Sequence, residues 1–336
     1  MNDIETQQIL ITPIKPPIPI KKEIKRSVNY IVGGLLIYEL IMILTVFIYS
    51  VVVTVYLMYT KYGIYETQGL TSELTNILQK TGVPYFITIL WGIPLVLLYY
   101  WTIQPRKLKM LFATKRKISP KTFLFIFIVA MSGQALFTLI TGGLELIFNQ
   151  FDLSILKLLE DFTQSSTLSM FLYTSFLAPI TEELLFRGVI LQRLQKYGKL
   201  FAIIISAVLF GAFHGNLAQG IFATFIGIVF AYIAIEYSIK WSILLHIINN
   251  FVFCELYLIA TKGFNQATQD NIALVMNSAF LLAAIFIVIH YRKQIRNYIV
   301  NEKMQKGFFR YAFTSCVMII FLILQLISSI FSISSI

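Results

Sequence analysis

The sequence predicts an all-α membrane protein, a polytopic bundle of transmembrane helices. Of its 336 residues, 57% are hydrophobic and only 13% are charged, whereas ordinary soluble domains carry about 25% charged residues. The mean hydropathy is +0.77. Apolar stretches of about 20 residues, the length that a membrane-spanning helix needs, recur along the chain. These observations exclude a soluble enzyme, a disulfide-stapled secreted domain and a disordered chain.

Nine apolar stretches are candidate spans. In order, they cover residues 30–60, 85–103, 123–147, 168–190, 201–214, 217–236, 241–260, 271–291 and 311–333. The first is long enough to tilt or to protrude, and the fifth is short, so eight full spans is the alternative. Neither the alternation of a β-strand nor a 20–50-residue repeat is present. Pro179 is expected to kink the fourth span or to open its hydrogen-bond ladder.

The basic residues fix an orientation for nine spans. Because successive loops alternate between the two sides of the membrane, 23 of the 27 lysines and arginines fall on one side. That side is predicted to be cytoplasmic, with the N-terminus inside and the C-terminus outside. The net charge of +11 would suggest nucleic acid in a soluble protein. Here the basic residues lie in loops between spans, so the predicted partners are membrane lipids and not nucleic acid. The chain is predicted to be an integral, multi-pass protein, of the plasma membrane if bacterial.

The predicted organisation has four parts. They are a Pro-rich basic cytoplasmic tail (1–28), N-terminal transmembrane helices (29–164), a helical core (165–260) and C-terminal transmembrane helices (261–336). The tail contains acids and prolines where a signal peptide needs an apolar core, so it is interpreted as an extended segment whose basic cluster touches anionic headgroups. The two cysteines, Cys254 and Cys316, lie in apolar stretches without a pairing framework. They are interpreted as small buried hydrophobes.

Ionisable side chains at membrane depth are costly, and each is a candidate for function. Glu39 and Glu145 are single acids, interpreted as hydrogen-bonded glutamates that face other helices or an interface. Glu236 is expected to be solvated near a cytoplasmic helix end. Glu255 lies deeper and receives no assignment from the sequence.

The adjacent acids Glu182 and Glu183 form a different kind of site. Neighbouring helix positions point about 100° apart, so the two carboxylates face different surroundings. Glu183 and Arg187 are four residues apart and are predicted to form an ion pair. Glu182 is then left without a local partner, and a buried carboxylate of this kind is suited to taking a proton from water.

Two of the three histidines lie in apolar spans after the glutamates. His214 shares a helix face with Phe210, and His246 shares one with Asn250. If the spans converge, Glu182 and both imidazoles form one polar cluster. Such a set permits a zinc ion held by Glu182, His214 and His246. It equally permits a metal-free base with hydrogen-bond donors for an oxyanion, and the sequence leaves both open. The span limits place the two histidines more than about 10 Å apart in membrane depth. For the two side chains to meet, at least one of these helices must begin at a different depth, or the fifth span must not cross fully.

These three motifs, in order and on separate apolar helices, resemble the CPBP intramembrane protease family, also called the CAAX protease or ABI family. The matching residues are Glu182, Glu183, Arg187, Phe210, His214, His246 and Asn250. The resemblance covers roughly residues 165–260. It implies an α-helical membrane fold that hydrolyses a peptide bond in a hydrophobic or lipidated peptide or protein. Members are often named metalloproteases, and a glutamate-activated water without metal is also proposed for them.

The resemblance also implies a role for each residue. Glu182 activates the water, His214 orients or shares it, and His246 with Asn250 stabilises the oxyanion, while Glu183 and Arg187 form a supporting ion pair. Some bacterial relatives are linked to bacteriocin maturation and self-immunity or act as scaffolds, so a non-catalytic scaffold or immunity protein is the alternative. Full biological effect in a Glu182→Ala, His246→Ala double variant would favour it. A proton-coupled transporter is a third interpretation, but the chain shows no inverted repeat.

Overall fold

The computed structural model describes residues 19–62, 67–103, 112–155, 167–302 and 305–335. Twelve helices lie in these ranges. They are α1 (Ile20–Leu57, continued by a π-helical turn over Met58–Tyr62), α2 (Thr67–Lys80), α3 (Val83–Ile103), α4 (Pro120–Phe148, followed by the 3-10 turn Asn149–Phe151), α5 (168–197), α6 (Lys199–Phe213), α7 (Leu217–Glu236), α8 (Ile239–Thr261), α9 (Gln266–His290), α10 (Arg292–Asn301), α11 (Phe308–Phe313) and α12 (Cys316–Phe331). Two-residue strands, β1 (Leu153–Ser154) and β2 (Ser334–Ser335), pair antiparallel.

The prediction of a polytopic helical bundle is confirmed. Within the described ranges, five helices are long and apolar enough to cross a membrane, and three apolar helices are shorter. The long ones are Ile20–Tyr62, Pro120–Phe151, Leu217–Glu236, Ile239–Thr261 and Gln266–His290. Large apolar side chains cover the outside of the bundle, with Phe47 62% exposed on α1 and Phe286 70% exposed on α9. A surface of this kind is stable against lipid and not against water.

Local sequence signals begin several of these helices. Ser119 precedes α4 and its hydroxyl accepts a hydrogen bond from the Thr122 amide, with Pro120 at the first helical position. Asn216 caps α7 in the same way through the Gln219 amide. The turn between α6 and α7 is tight because Gly215 adopts a positive φ of 59°.

Two helices lie where the sequence predicted loops. Both α2 and α10 are rich in charged and polar residues, so the search for apolar stretches passed over them. In α2, hydrogen bonds from Lys61 and Tyr62 lower the pKa of Glu73. In α10, Tyr298 donates a hydrogen bond to Glu236. Glu236 also pairs with Lys199 at 2.8 Å, so the expectation that this glutamate is simply solvated is wrong.

The two ends of the chain also differ from expectation. The helix α1 begins at Ile20, so the basic residues 21–26 lie on its first turns and not in an extended tail. Residues 1–18, which include Pro13, Pro16 and Pro17, lie outside the described residues. The ninth predicted span is interrupted at Thr314 and Ser315. Cys316 begins α12 and is exposed, against the expectation of burial, while the Cys254 side chain lies outside the described part.

The core forms around α6 and α7, which pack closely against one another. Gly211 on α6 makes this possible, because a Cβ there would overlap the Thr224 side chain and the Gly220 carbonyl of α7. Helix α7 also packs on α4 and α8, α5 lies against α6, and α1 packs on α3 and α12. Fully buried aromatic side chains join these helices, among them Phe186, Phe210 and Phe230. The polar site described below lies within this core.

Contacts between loops divide the molecule into two ends. At one, here called the basic end, Lys25 bonds the Thr314 carbonyl, Lys199 pairs with Glu302, and the Lys115 amide bonds the Tyr237 carbonyl. Burial lowers the pKa of Lys115 there. At the opposite end, Gly82 bonds Ser169, Asn216 bonds Ser332, and β1 pairs with β2. Each of these contacts joins loops or helix ends that the alternation of nine spans places on the same side.

Candidate active site

Helix α5 carries both glutamates and is irregular in a specific way. Its α-helical segments Leu168–Leu172, Ala178–Glu183 and Gln192–Leu194 alternate with π-helical segments Tyr173–Leu177 and Leu184–Leu191, and a 3-10 turn over Gln195–Tyr197 ends it. The first π-helical segment lies just before Pro179, which has no N–H to continue an α-helical ladder. Short π-helical insertions are frequent at functional sites because they rotate the side chains that follow. The glutamates lie between the two insertions.

Glu183 is fully buried and has three polar partners. Its Oε1 lies 3.1 Å from Nη1 of Arg187 and 3.0 Å from Nδ1 of His246. Its Oε2 accepts a hydrogen bond from Ser242, one turn before His246 on α8. The predicted ion pair between Glu183 and Arg187 is therefore present, and it extends to α8.

Arg187 is held by groups from three helices. Its Nη2 donates to the Gly227 carbonyl of α7 at 3.2 Å, and its guanidinium lies 4.4 Å from the Phe210 ring centre and 5.4 Å from that of Phe230. Gly227 leaves room for this arrangement, because a Cβ there would lie 3.3 Å from Nη2. A cation between aromatic faces is stabilised by the ring quadrupoles. Arg187 therefore places a fixed positive charge beside the Glu183 carboxylate.

Glu182 has different surroundings, as the 100° rotation between neighbours requires. Its side chain is 21% exposed and lines a small cavity of about 20 Å³. We call it the Glu182 cavity; its other walls are Tyr38, Met42, Ile89, Tyr173, Ala178, Thr181, Leu185 and Phe213. A carboxylate on the wall of a mostly apolar cavity inside a helical bundle is a candidate general base.

His246 lies between the two carboxylates. A carboxylate accepts hydrogen bonds, so the nitrogen that faces Glu183, Nδ1, carries a hydrogen. The other nitrogen, Nε2, lies 3.7 Å from Oε2 of Glu182. The imidazole also packs on the Phe230 ring at 4.8 Å between ring centres. His246 therefore connects the buried ion pair with the cavity.

His214 reaches the same region through Phe210. Its Nδ1 lies 2.8 Å from the Phe210 carbonyl oxygen, an acceptor, so Nδ1 carries the hydrogen and Nε2 is the free nitrogen. The Phe210 ring contacts both imidazoles, with ring centres 5.0 Å from His214 and 5.8 Å from His246. The Phe210 ring therefore links the two imidazoles across the depth difference expected from the span limits.

Asn250 is placed differently from the expectation of a free oxyanion donor. Its Nδ2 donates to the Thr174 carbonyl of α5 at 2.9 Å, and its Oδ1 accepts from Asn249. A π-helical segment, Asn249–Leu256, begins between His246 and Asn250 and changes their relative direction. Glu255 in the same segment is buried and accepts a hydrogen bond from Thr174, which gives this unassigned glutamate a link to α5.

The other single acids match the interpretation as hydrogen-bonded glutamates. Glu39 accepts from Gln325 at 2.7 Å, and Glu145 accepts from the Ile155 amide at 3.0 Å. Neither contact belongs to the Glu182 cavity.

The zinc set named from the sequence was Glu182, His214 and His246. Among the residues that the structure describes, no three histidine, cysteine, aspartate or glutamate side chains are grouped closely enough to hold a metal ion. His246 directs one nitrogen to Glu183, and His214 directs one to a backbone carbonyl. These residues, as arranged, do not fit a three-ligand zinc site, and no chemical step is derived through a metal.

Three polar residues of this region were not singled out from the sequence. Ser242 lies one helical turn before His246, and this spacing is a signal that could have revealed it. Tyr38 comes from α1, far from every motif, and no pattern in the sequence connects it with Glu182. Tyr173 precedes Glu182 by nine residues, and only the π-helical segment brings it to the cavity.

Comparison with known proteins identifies the segment that carries this site. Residues 164–252 match the family described as Type II CAAX prenyl endopeptidase Rce1-like. This segment is similar to the Rce1-like family. The match contains all seven motif residues, from Glu182 to Asn250, and confirms the resemblance found from the sequence.

The chain is also similar to the Bacillus subtilis (strain 168) protein described as "Putative membrane peptidase YdiL". The two are 28% identical over 114 residues, which are 33% of this chain and 47% of that protein. The chain therefore matches about half the length of this curated relative. No solved structure matches the chain. Helices α1–α4 and α9–α12 lie outside the Rce1-like segment.

Proposed function

We propose that this protein is an intramembrane endopeptidase that hydrolyses a peptide bond in a hydrophobic or lipidated substrate by means of a water activated by Glu182. The observation that carries the proposal is the position of Glu182 on the wall of an apolar cavity, 3.7 Å from His246. The Rce1-like match over the same residues supports the reaction class.

In the proposed reaction a water in the Glu182 cavity transfers a proton to the Glu182 carboxylate. Its oxygen forms a bond to the carbonyl carbon of the substrate, and the carbonyl oxygen becomes a tetrahedral oxyanion. When the intermediate collapses, the C–N bond breaks and the proton held by Glu182 passes to the leaving nitrogen. The products are a carboxylic acid and an amine, and Glu182 is regenerated as a carboxylate.

The buried pair Glu183 and Arg187 acts as a support in this proposal. Glu183 fixes the orientation of the His246 ring through Nδ1, so that Nε2 faces the Glu182 carboxylate. When both ring nitrogens of His246 carry a hydrogen, Nε2–H is the donor toward the oxyanion.

His214 and Asn250 complete the proposed assignment. Since Nδ1 of His214 is bonded to the Phe210 carbonyl, its free Nε2 is the atom that accepts a hydrogen bond from the water and orients it. Asn250 has a second Nδ2 hydrogen beyond the one bonded to Thr174, and this hydrogen is its donor toward the oxyanion.

The proposed enzyme crosses the membrane nine times, with its basic end in the cytoplasm. The contacts within each end support this alternation, and the excess of lysine and arginine supports the orientation. The short helix α6 then counts as a span because it pairs along its length with α7. The substrate is reached from within the bilayer or from its surface.

The test compares Glu182→Gln and His214→Ala with the unchanged protein in liposomes. The probe is a fluorescence-quenched peptide whose C-terminal tail carries a farnesylated cysteine, beside a library of peptides from membrane proteins. Removal of a general base or of a group that orients the water should reduce kcat at least ~100-fold. Glu145→Gln, a second membrane glutamate that lies outside the cavity, should keep full activity. Undiminished cleavage by both site variants would contradict the mechanism.

A further inference from the structure

The Glu182 cavity is not formed by the Rce1-like segment alone. Three of its wall residues, Tyr38 and Met42 on α1 and Ile89 on α3, lie outside residues 164–252. Of these only Tyr38 carries a hydrogen-bonding group. A second tyrosine, Tyr173, lines the cavity from α5, inside the segment.

Residues of two neighbouring helices hold the Tyr38 ring in position. On one side, a Cβ at Gly92 of α3 would overlap Cε2 of the ring, so that only glycine leaves space for it. On another side the ring lies against Phe213, with ring centres 6.1 Å apart. Tyr173 is fixed in a similar way, stacked on Tyr85 of α3 with ring centres 4.6 Å apart. Both rings are therefore held before any substrate arrives.

The hydroxyl groups of Tyr38 and Tyr173 have no hydrogen-bond partner among the residues that the structure describes. Both side chains are partly buried, and neither hydroxyl oxygen is fully enclosed by protein. Asn250, by contrast, already has one Nδ2 hydrogen bonded to Thr174 and its Oδ1 bonded to Asn249, which leaves one amide hydrogen. The cavity thus contains two fixed tyrosine rings whose hydroxyl groups make no hydrogen bond with the described residues. Both line the same cavity as Glu182, the candidate base.

We propose that Tyr38 and Tyr173 are catalytic residues whose hydroxyl groups donate hydrogen bonds to the carbonyl oxygen of the attacked bond, and more strongly to the oxyanion that forms from it. The inference rests on the proposed peptidase function and extends its site to α1. Donors that are fixed in advance in a low-dielectric cavity stabilise developing charge with little reorganisation. A neutral hydroxyl also adds no further charge to a region that already holds two glutamates and Arg187.

The test uses Tyr38→Phe, Tyr173→Phe and the double variant in liposomes, with the same peptides. Each single change removes one oxygen and keeps the ring contacts, so the thermal unfolding midpoint should stay that of the unchanged protein. Loss of one oxyanion donor typically lowers kcat about 100-fold, with little change in KM. Tyr85→Phe is the matched control, because Tyr85 stacks on Tyr173 but does not line the cavity, and it should keep kcat within about twofold of the unchanged protein.

A second measurement asks whether Gly92 affects activity by placing the Tyr38 hydroxyl or only by packing against the Tyr38 ring. Gly92→Ala should displace the Tyr38 ring and lower kcat, while in a Tyr38→Phe background the same change should have little further effect. Non-additivity of this kind is the signature of two residues that act through one group. Equal losses from Gly92→Ala in both backgrounds would overturn the role of the Tyr38 hydroxyl.

The outcomes separate this inference from the function on which it rests. If Glu182→Gln abolishes cleavage but the double tyrosine variant keeps kcat, the tyrosine roles are overturned and the peptidase function stands. If the double variant loses stability as well as activity, kcat measured on the fraction that stays folded decides, and an unchanged kcat there also overturns the proposal. If the unchanged protein cleaves neither the farnesylated peptide nor any library peptide, both proposals fail together.

Discussion

Two neighbouring glutamates on α5 have opposite surroundings, although only one peptide bond separates them. Glu183 has an arginine, a histidine and a serine around a fully buried carboxylate, whereas Glu182 faces a cavity. The difference follows from the angle of about 100° between adjacent helical positions. One residue can therefore hold the site together while its neighbour is left to react.

The buried pair should be sensitive to loss of either member. We expect Arg187→Met to lower the free energy of unfolding by about 3–5 kcal/mol, because it leaves the Glu183 carboxylate without its cation. Unfolding with increasing SDS in mixed micelles measures this. The double variant Glu183→Gln, Arg187→Met should recover much of the loss, since no unpaired charge then remains. A double variant as unstable as the single one would show that the packing of Arg187, and not its charge, is what matters.

At the residue scale, the sequence predicted the ion pair between Glu183 and Arg187 because four-residue spacing on a helix determines it. It also separated Glu182 as the residue without a local partner. The sequence could not predict the hydrogen bond between His246 and Glu183. The nitrogen of His246 that carries the hydrogen depends on the acceptor that another helix, α5, places beside it. For the same reason the bond from Asn250 to Thr174 could not be found.

Single glycines set the distances between helices in this bundle. At Gly211 the backbones of α6 and α7 approach so closely that a Cβ has no space, and small residues of this kind favour helix contact in membranes. Because Gly211 comes three residues before His214, the same contact also determines where this histidine lies.

We expect Gly211→Ala to force α6 and α7 apart. Activity in the liposome assay should fall at least ~10-fold, because displacements of about 1 Å at a reacting site cost up to 10²-fold, and the thermal unfolding midpoint should fall as well. Gly142→Ala on α4 is the control, since a Cβ there meets nothing within 4 Å. Equal behaviour of the two variants would contradict the role of the contact.

Helices were predicted well where an apolar stretch has polar ends. The sixth span, 217–236, coincides with α7, and α9 differs by a few residues from the eighth. The sequence missed α2 and α10, whose charged residues hide their helical pattern. It also treated α11 and α12 as one span, because the break at Thr314 and Ser315 contains no proline or glycine.

The molecule as a whole has a basic end and an opposite end, each held by contacts between distant loops. At the opposite end β1 and β2 pair residues about 180 positions apart in the sequence, Leu153 with Ser335. At the basic end Lys199 bridges Glu236 and Glu302. These contacts place the ends of helices that are distant in sequence side by side.

Thiol labelling in intact cells tests this orientation. In a background with Cys254 and Cys316 changed to serine, single cysteines are introduced by Lys240→Cys at the basic end and by Gln150→Cys at the opposite end, since both positions are exposed. A membrane-impermeant maleimide should label the Gln150→Cys protein in intact cells and the Lys240→Cys protein only after lysis. The reverse pattern would place the basic end outside, and labelling of both would contradict the separation of the ends.

Because α1 and α3 contribute a wall to the Glu182 cavity, the proposed peptidase would draw its hydrolytic groups from one part of the chain and part of its substrate-binding surface from another. Exchange of the gene region for residues 20–103 between two relatives would then carry preference for one cleavage sequence into another enzyme without altering its glutamates or histidines. Descendants of one ancestral peptidase could in this way acquire new targets through their first helices alone.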